Sequence, residues 1–145
     1  MGELRVTVIR FSGLELRFLQ DRHGTEGRLD LFEMTVQPRA RMPIAHHHED
    51  WDETVYGLSG VTTWRIAGED RLVGAGASCF IPRGAVHGFR NDGDEPARCL
   101  CVLTPGRLGP DYFQAMADLA AAPEPDPAAM RAVMLRYGLV PASGP

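Results

Sequence analysis

Two short segments of the chain concentrate the side chains that could do chemistry. The first, PIAHHHEDWDETVYGLSG, places His46, His47 and His48 ahead of Glu53. In a strand alternate side chains share a face, so His46 and His48 point one way and His47 the other. Glu53 follows a short loop, at the start of the next strand. Imidazole nitrogens together with one carboxylate oxygen suit a borderline divalent metal ion. Taken alone, three adjacent histidines are equally well explained by a solvated loop. The second segment, GASCFIPRGAVHGFRN, has Gly76 opening a strand, a turn at Pro82 and Gly84, and His87 where the chain re-enters the sheet, four residues before Asn91. His87 by itself reads as a structural histidine.

Positioning these groups falls to strands. From Leu4 to Thr104, short runs rich in Val, Leu, Phe and Thr are separated at close intervals by turn residues, which is an all-β pattern. Arg5 to Arg10 and Glu15 to Asp21 carry apolar residues at alternate places, and Phe32, Met34 and Val36 resume the alternation after a hairpin about Gly24 and Gly27. Thr54 to Ser59, Val61 to Ile66, Glu69 to Val73, Ser78 to Ile81, Gly88 to Asn91 and Ala97 to Thr104 continue the series. Roughly eight to ten strands in one small domain must hide their edges, and a closed barrel or jelly roll does so. Past Thr104 the period changes. Phe113, Met116, Ala117 and Ala120 recur at helical spacing, as do Met130, Val133, Met134 and Tyr137, which predicts two short helices. Asp126 is placed as an N-cap with Pro127 at the first helical position, and Gly138 as the stop.

A chain of 145 residues closes one core. The divisions are 1–25 as N-terminal strands, 26–105 as the barrel and 106–145 as a helical extension. With 19 acidic against 15 basic residues and a formal charge of −4, no stretch gathers Lys or Arg as phosphate binding requires, so nucleic acid is not an expected partner. Glu3 and Arg5 interrupt what would have to be an apolar signal segment, and no later run approaches a membrane span; the expected location is cytoplasmic. Cys79, Cys99 and Cys101 form no C-x-x-C pair and read as small buried apolar residues, neither a disulfide framework nor thiolate ligands.

Set side by side, the two histidine segments resemble the two motifs that define the cupin superfamily. The first, G-x5-H-x-H-x4-E-x6-G, is matched by His46, His48, Glu53 and Gly60, and the second, G-x5-P-x-G-x2-H-x3-N, by Gly76, Pro82, Gly84, His87 and Asn91. The opening glycine of the first falls on Ala40, so the turn before the histidine strand differs while no ligand position does. The tail, with TPG, a Phe-bearing helix and a second helix ending in RYGL, is similar to that of small bacterial quercetin dioxygenase-like cupins. The resemblance implies a cupin double-stranded β-helix, a jelly-roll barrel, holding one divalent ion (Fe, Mn, Ni, Co, Zn or Cu) on His46, His48, Glu53 and His87. It also implies a homodimer in which the N-terminal strand meets the partner. Three imidazoles and a carboxylate leave two positions of a six-coordinate ion for water, dioxygen or a chelating small-molecule substrate.

The activity implied is that of a metal-dependent dioxygenase, an oxidoreductase, acting on a flavonol-like or otherwise enolisable small molecule, with Glu53 also able to accept a proton. The alternatives are a metal-dependent isomerase, cyclase or lyase that uses the ion as a Lewis acid without dioxygen, and a non-catalytic small-ligand-binding cupin. Fold does not choose among them, although an intact ligand set counts against the last. By period-two counting Phe89 and Asn91 share a side of their strand with His87 and are the candidate substrate-pocket residues. His47 is expected at a surface or interface and His23 in a solvated loop. Trp51 and Asp52 fit either a rim or plain packing.

Overall fold

Alternation of apolar and polar side chains becomes two-faced strands in the computed structural model, which describes residues 6–42 and 44–142. The strands are β1 (Thr7–Phe11), β2 (Leu14–Gln20), β3 (Asp30–Val36), β4 (His46–His48), β5 (Asp52–Ser59), β6 (Thr62–Ile66), β7 (Glu69–Val73), β8 (Ser78–Ile81), β9 (His87–Arg90), β10 (Ala97–Thr104) and β11 (Leu139–Pro141). Two helices, α1 (Gly109–Ala120) and α2 (Pro127–Arg136), stand between β10 and β11. The strands form two antiparallel sheets, ordered β1-β2-β3-β10-β5-β8 and β11-β4-β9-β6-β7, the jelly roll expected of the sequence. Every second residue of β3 and β10 is buried, and Leu16, Val36, Val55, Ala97, Cys99 and Cys101 are fully removed from water. That face supplies the hydrophobic driving force. None of the helices among the described residues is long and apolar enough to cross a membrane.

The N-terminal strand expected from Leu4 begins at Thr7; Leu4 and Arg5 lie outside the described residues. β2 and β3 pair as expected, through a connection in which the Thr25 hydroxyl donates to Asp21 O at 2.9 Å. The three cysteines are free and buried. Where the first motif lacks its glycine, Arg39 takes the left-handed conformation (φ +68°) and the Ala40 N–H closes the turn on Gln37 O at 3.0 Å. The guanidinium of Arg39 holds this turn by donating to Asp92 O at 2.8 Å and Asp94 Oδ1 at 2.6 Å.

Two features of the C-terminal part come from long-range pairing. Helix α1 has no side-chain cap of its own; the fully buried Asp30, at the start of β3, accepts the Leu108 and Gly109 N–H groups through Oδ2 at 3.2 and 3.1 Å. This fixes the helix over one end of the barrel. Helix α2 begins as expected, with the Asp126 side chain accepting from Ala128 N at 3.0 Å and Pro127 in the first turn, and Gly138 (φ +88°) follows it. The chain does not stop there. It turns back and adds β11 to the free edge of β4.

Candidate metal centre

Strand alternation sets the first two groups. His46 and His48 of β4 are buried and the half-buried His47 between them faces outward. Across the same sheet His46 pairs with His87 at the start of β9. Glu53 comes from the opposite sheet, on β5 between Leu103 of β10 and Ile81 of β8. The site therefore lies inside the barrel, with imidazoles on one wall and a carboxylate on the other.

The imidazole orientations are fixed from behind. His46 Nδ1 lies 3.1 Å from Ile44 O and His87 Nδ1 3.0 Å from Ala85 O. A neutral ring donating from Nδ1 to a carbonyl presents the bare Nε2 lone pair at its other end. His48 is held by stacking on Trp51, with ring centroids 4.6 Å apart and planes 24° from parallel. The three histidine ligand atoms converge within 4.8 Å of one another, and the Nε2 atoms of His46 and His48 are 3.1 Å apart. Glu53 Oε1 stands 3.9 Å from Nε2 of both His48 and His87.

Two nitrogens bound to one ion at about 2.1 Å and at right angles lie about 3.0 Å apart, so the 3.1 Å pair has the spacing of adjacent ligands. His87 Nε2 is buried with no hydrogen-bond partner among the described residues. A buried, unpartnered lone pair aimed at two others is costly unless a cation collects them. The three histidines thus suit a divalent ion.

Burial also sets the protonation of the set. Desolvation pushes the His46 imidazole down to about 3, and the neighbouring His87 adds to the effect. His48 is lowered by burial and then by His46 and His87, and His87 is lowered mainly by burial. Glu53 is pushed up to about 8 by burial, against a smaller lowering from the Cys101 thiol. Near neutral pH the metal-free cluster holds three neutral imidazoles and one protonated carboxyl.

Beside the cluster lies a cavity with about 60 Å³ open to water-sized molecules. Its walls are apolar: Met34, Trp64 and Phe89 from the sheets, Tyr112 and Met116 from α1, and Met134 from α2. His46, His48, Glu53 and Cys101 also border it, and among the described residues no Lys or Arg does. Phe89 therefore lines the cavity. Asn91 does not: its amide donates to Val36 O at 3.0 Å and Glu95 O at 2.8 Å, and its carbonyl accepts from Gly93 N at 2.9 Å. Asn91 keeps the buried side that period-two counting gives it, but past the end of β9 its amide is spent on the backbone of Val36, Gly93 and Glu95 and does not border the cavity.

Trp51 is buried packing, whereas Asp52 grips the Arg83 backbone N–H (2.9 Å) and guanidinium, tying the loop before Glu53 to the turn before His87. His23 is exposed. Trp64 and Met34 had signals in the alternation of their strands, while Cys101, expected as packing, also sits against Glu53.

The family model for the cupin domain matches residues 32–103. An uncharacterized protein of Aquifex aeolicus is 26% identical over 116 residues, covering 72% of this chain and 95% of its own. Among solved structures, a predicted oxalate decarboxylase from Thermotoga maritima superposes with a TM-score of 0.64 at 24% identity, covering 69% of this chain and 93% of that one. KdgF from Halomonas sp. superposes at 0.62 with 18% identity, covering 70% and 87%. These likenesses concern the fold.

Proposed function

Since this chain belongs to the cupin superfamily, we propose that it is a metal-dependent dioxygenase acting on a small, apolar, enolisable substrate, its ion held by His46, His48, His87 and Glu53. The observation that carries this reading is the cavity beside the histidines: apolar walls and, among the described residues, no cationic side chain. Apart from the ion itself, no described side chain of the cavity offers a positive partner to a dianion such as oxalate, and the predicted activity of the Thermotoga protein, alike in fold, is not carried over. An apolar molecule gains by entering, and its polar atoms have one place to go, the metal.

A divalent ion held by His46, His48, His87 and Glu53 would supply Lewis acidity toward an enol and the capacity to activate dioxygen. The chain's own residues supply the rest. Met34, Trp64 and Phe89 exclude water, and Tyr112 and Met116 of α1 cover the cavity from the other side. Glu53, ionised when it holds the ion and facing His48 and His87, is the group to take the enol proton once its bond to the ion loosens. The same property supports a second reading, an isomerase or cyclase in which proton transfer is the whole reaction. The homodimer belongs to this proposal too; β1, the outermost strand of its sheet with Val8 exposed, is the strand to meet a second copy, which a size measurement in solution decides.

Oxygen uptake separates the readings. Metal-loaded protein incubated with monocyclic enolisable diketones and with flavonols is expected to consume oxygen in step with substrate loss. Turnover that runs equally fast without oxygen selects the isomerase or cyclase. The Glu53→Gln variant keeps a neutral oxygen ligand but loses the base, so turnover should drop by about 100-fold or more while metal content changes far less. Equal losses would leave Glu53 as a ligand alone.

A further inference from the structure

Strand β4 carries two of the three histidines yet is only three residues long. Its hold on the rest of the barrel is slight. It shares a single register pair with β9, His46 with His87, and His48 O accepts the Gly84 N–H at 2.8 Å. Its other edge is covered along its whole length by β11, in the register Leu139–His48, Val140–His47 and Pro141–His46. Backbone bonds extend the pairing at both ends: Ala142 N–H donates to Ala45 O at 2.8 Å and Glu49 N–H to Gly138 O at 3.5 Å.

Bonded pairs alternate along an antiparallel ladder, so Val140 and His47, midway between these two, form the bonded pair. Pro141 falls where its missing N–H faces away from β4, as a proline in an edge strand must. Gly138 adds a second grip: with φ at +88°, it lies where a Cβ would come within 3.1 Å of Trp51, the ring stacked on His48. The tail therefore touches β4 through its backbone and His48 through Trp51.

We propose that β11 with Gly138 is a positioning element of the metal centre, so that the geometry of His46 and His48, and with it metal affinity, depends on the chain's C-terminal strand. The inference rests on the reading of the histidines as metal ligands. It reaches beyond the cupin motifs, because β11 lies outside the 32–103 segment that the family model matches.

The test is zinc affinity, measured by competition with a chromophoric chelator, with cobalt absorption bands as a report of ligand geometry. Val140→Pro removes the N–H given to His47, and Val140→Ala keeps it. V140P should bind zinc about tenfold or more weakly and give altered cobalt bands, with V140A close to the parent. Coupling must be reciprocal, so zinc should slow hydrogen exchange of the Val140 amide in the parent protein by about tenfold or more. This second measurement decides the matter if V140P does not fold. A parent chain that takes up no zinc overturns the metal reading and this inference with it. Binding by V140P equal to the parent, or Val140 exchange indifferent to zinc, overturns the inference alone.

Discussion

Replacing His87 with alanine is expected to abolish metal retention while leaving the barrel folded. His87 is the imidazole whose Nε2 is buried without a partner, and its Nδ1 is already committed to Ala85 O at 3.0 Å. Its ring therefore serves the centre of the cluster and little else. Without it the remaining nitrogens are the 3.1 Å pair on β4, backed by one carboxylate from the other sheet. Affinity should fall by more than about 100-fold, beyond the loss typical of a group that merely supports a ligand. The metal-free protein should stay folded, because the ladder of β9 with β6 is backbone and survives the change, while the space left by the buried ring costs about 2 to 4 kcal/mol. Metal content after dialysis, read beside the far-ultraviolet dichroism, checks both halves. A folded H87A protein that keeps one equivalent of metal would contradict the assignment.

A second large effect is acid lability of the metal-free protein. Unfolded histidines take up protons below about 6.5, whereas burial keeps His46 and His48 neutral well below that and lowers His87 in the same direction. Unfolding then binds protons that the native state does not, and stability falls as pH falls. Glu53 works in the opposite sense. Its folded value of about 8 lies above the unfolded 4.5, so the native state holds a proton that the unfolded chain releases, and stability falls as pH rises between those values. Between 4.5 and 6.5 the net uptake on unfolding is two protons for His46 and His48, a further part for His87, less one for Glu53, or about 1 to 2 protons and about 1.4 to 2.7 kcal/mol per pH unit.

Two units of acidification remove about 3 to 5 kcal/mol, a large part of the stability of many domains. The expectation is a stability maximum near pH 6.5, a shallow decline toward pH 8 from Glu53, and a steep one below 6. Urea denaturation of the metal-free protein across pH 4.5 to 8 measures the curve. A flat profile from pH 7 to 5 would mean that the imidazoles are not held neutral.

Much of this centre was legible in the sequence because period-two geometry is rigid. His46 and His48 had to share a face once β4 was a strand, and His47 had to leave it. Glu53 and His87 were reached through motif spacing, since no local rule tells that β5 and β9 stand on opposite walls of one barrel. The rule held for burial as far as Asn91, one residue past the end of β9, but could not tell that this side chain bonds the backbone and leaves the cavity to Phe89.

The C-terminal part was half legible. Helical periodicity and the Asp126-Pro127 start located α2, but Asp30 as the cap of α1 joins residues 78 apart and leaves no local trace. Strand β11 is short, contains a proline and follows a helix stop, so nothing in Leu139, Val140 and Pro141 announces a strand. It exists because β4 offers a free edge.

The most direct test of the metal centre is a calorimetric titration of the metal-free protein with zinc at pH 7, repeated in buffers of different ionisation enthalpy. A metal ion needs neutral imidazoles, which the cluster already has, and an ionised Glu53, which at about 8 it mostly lacks. The result expected is one equivalent bound with close to one proton released, the release fading by pH 9, where Glu53 is already ionised. Absence of saturable binding at one equivalent, or binding that releases no proton at pH 7, would contradict a centre built from His46, His48, His87 and Glu53.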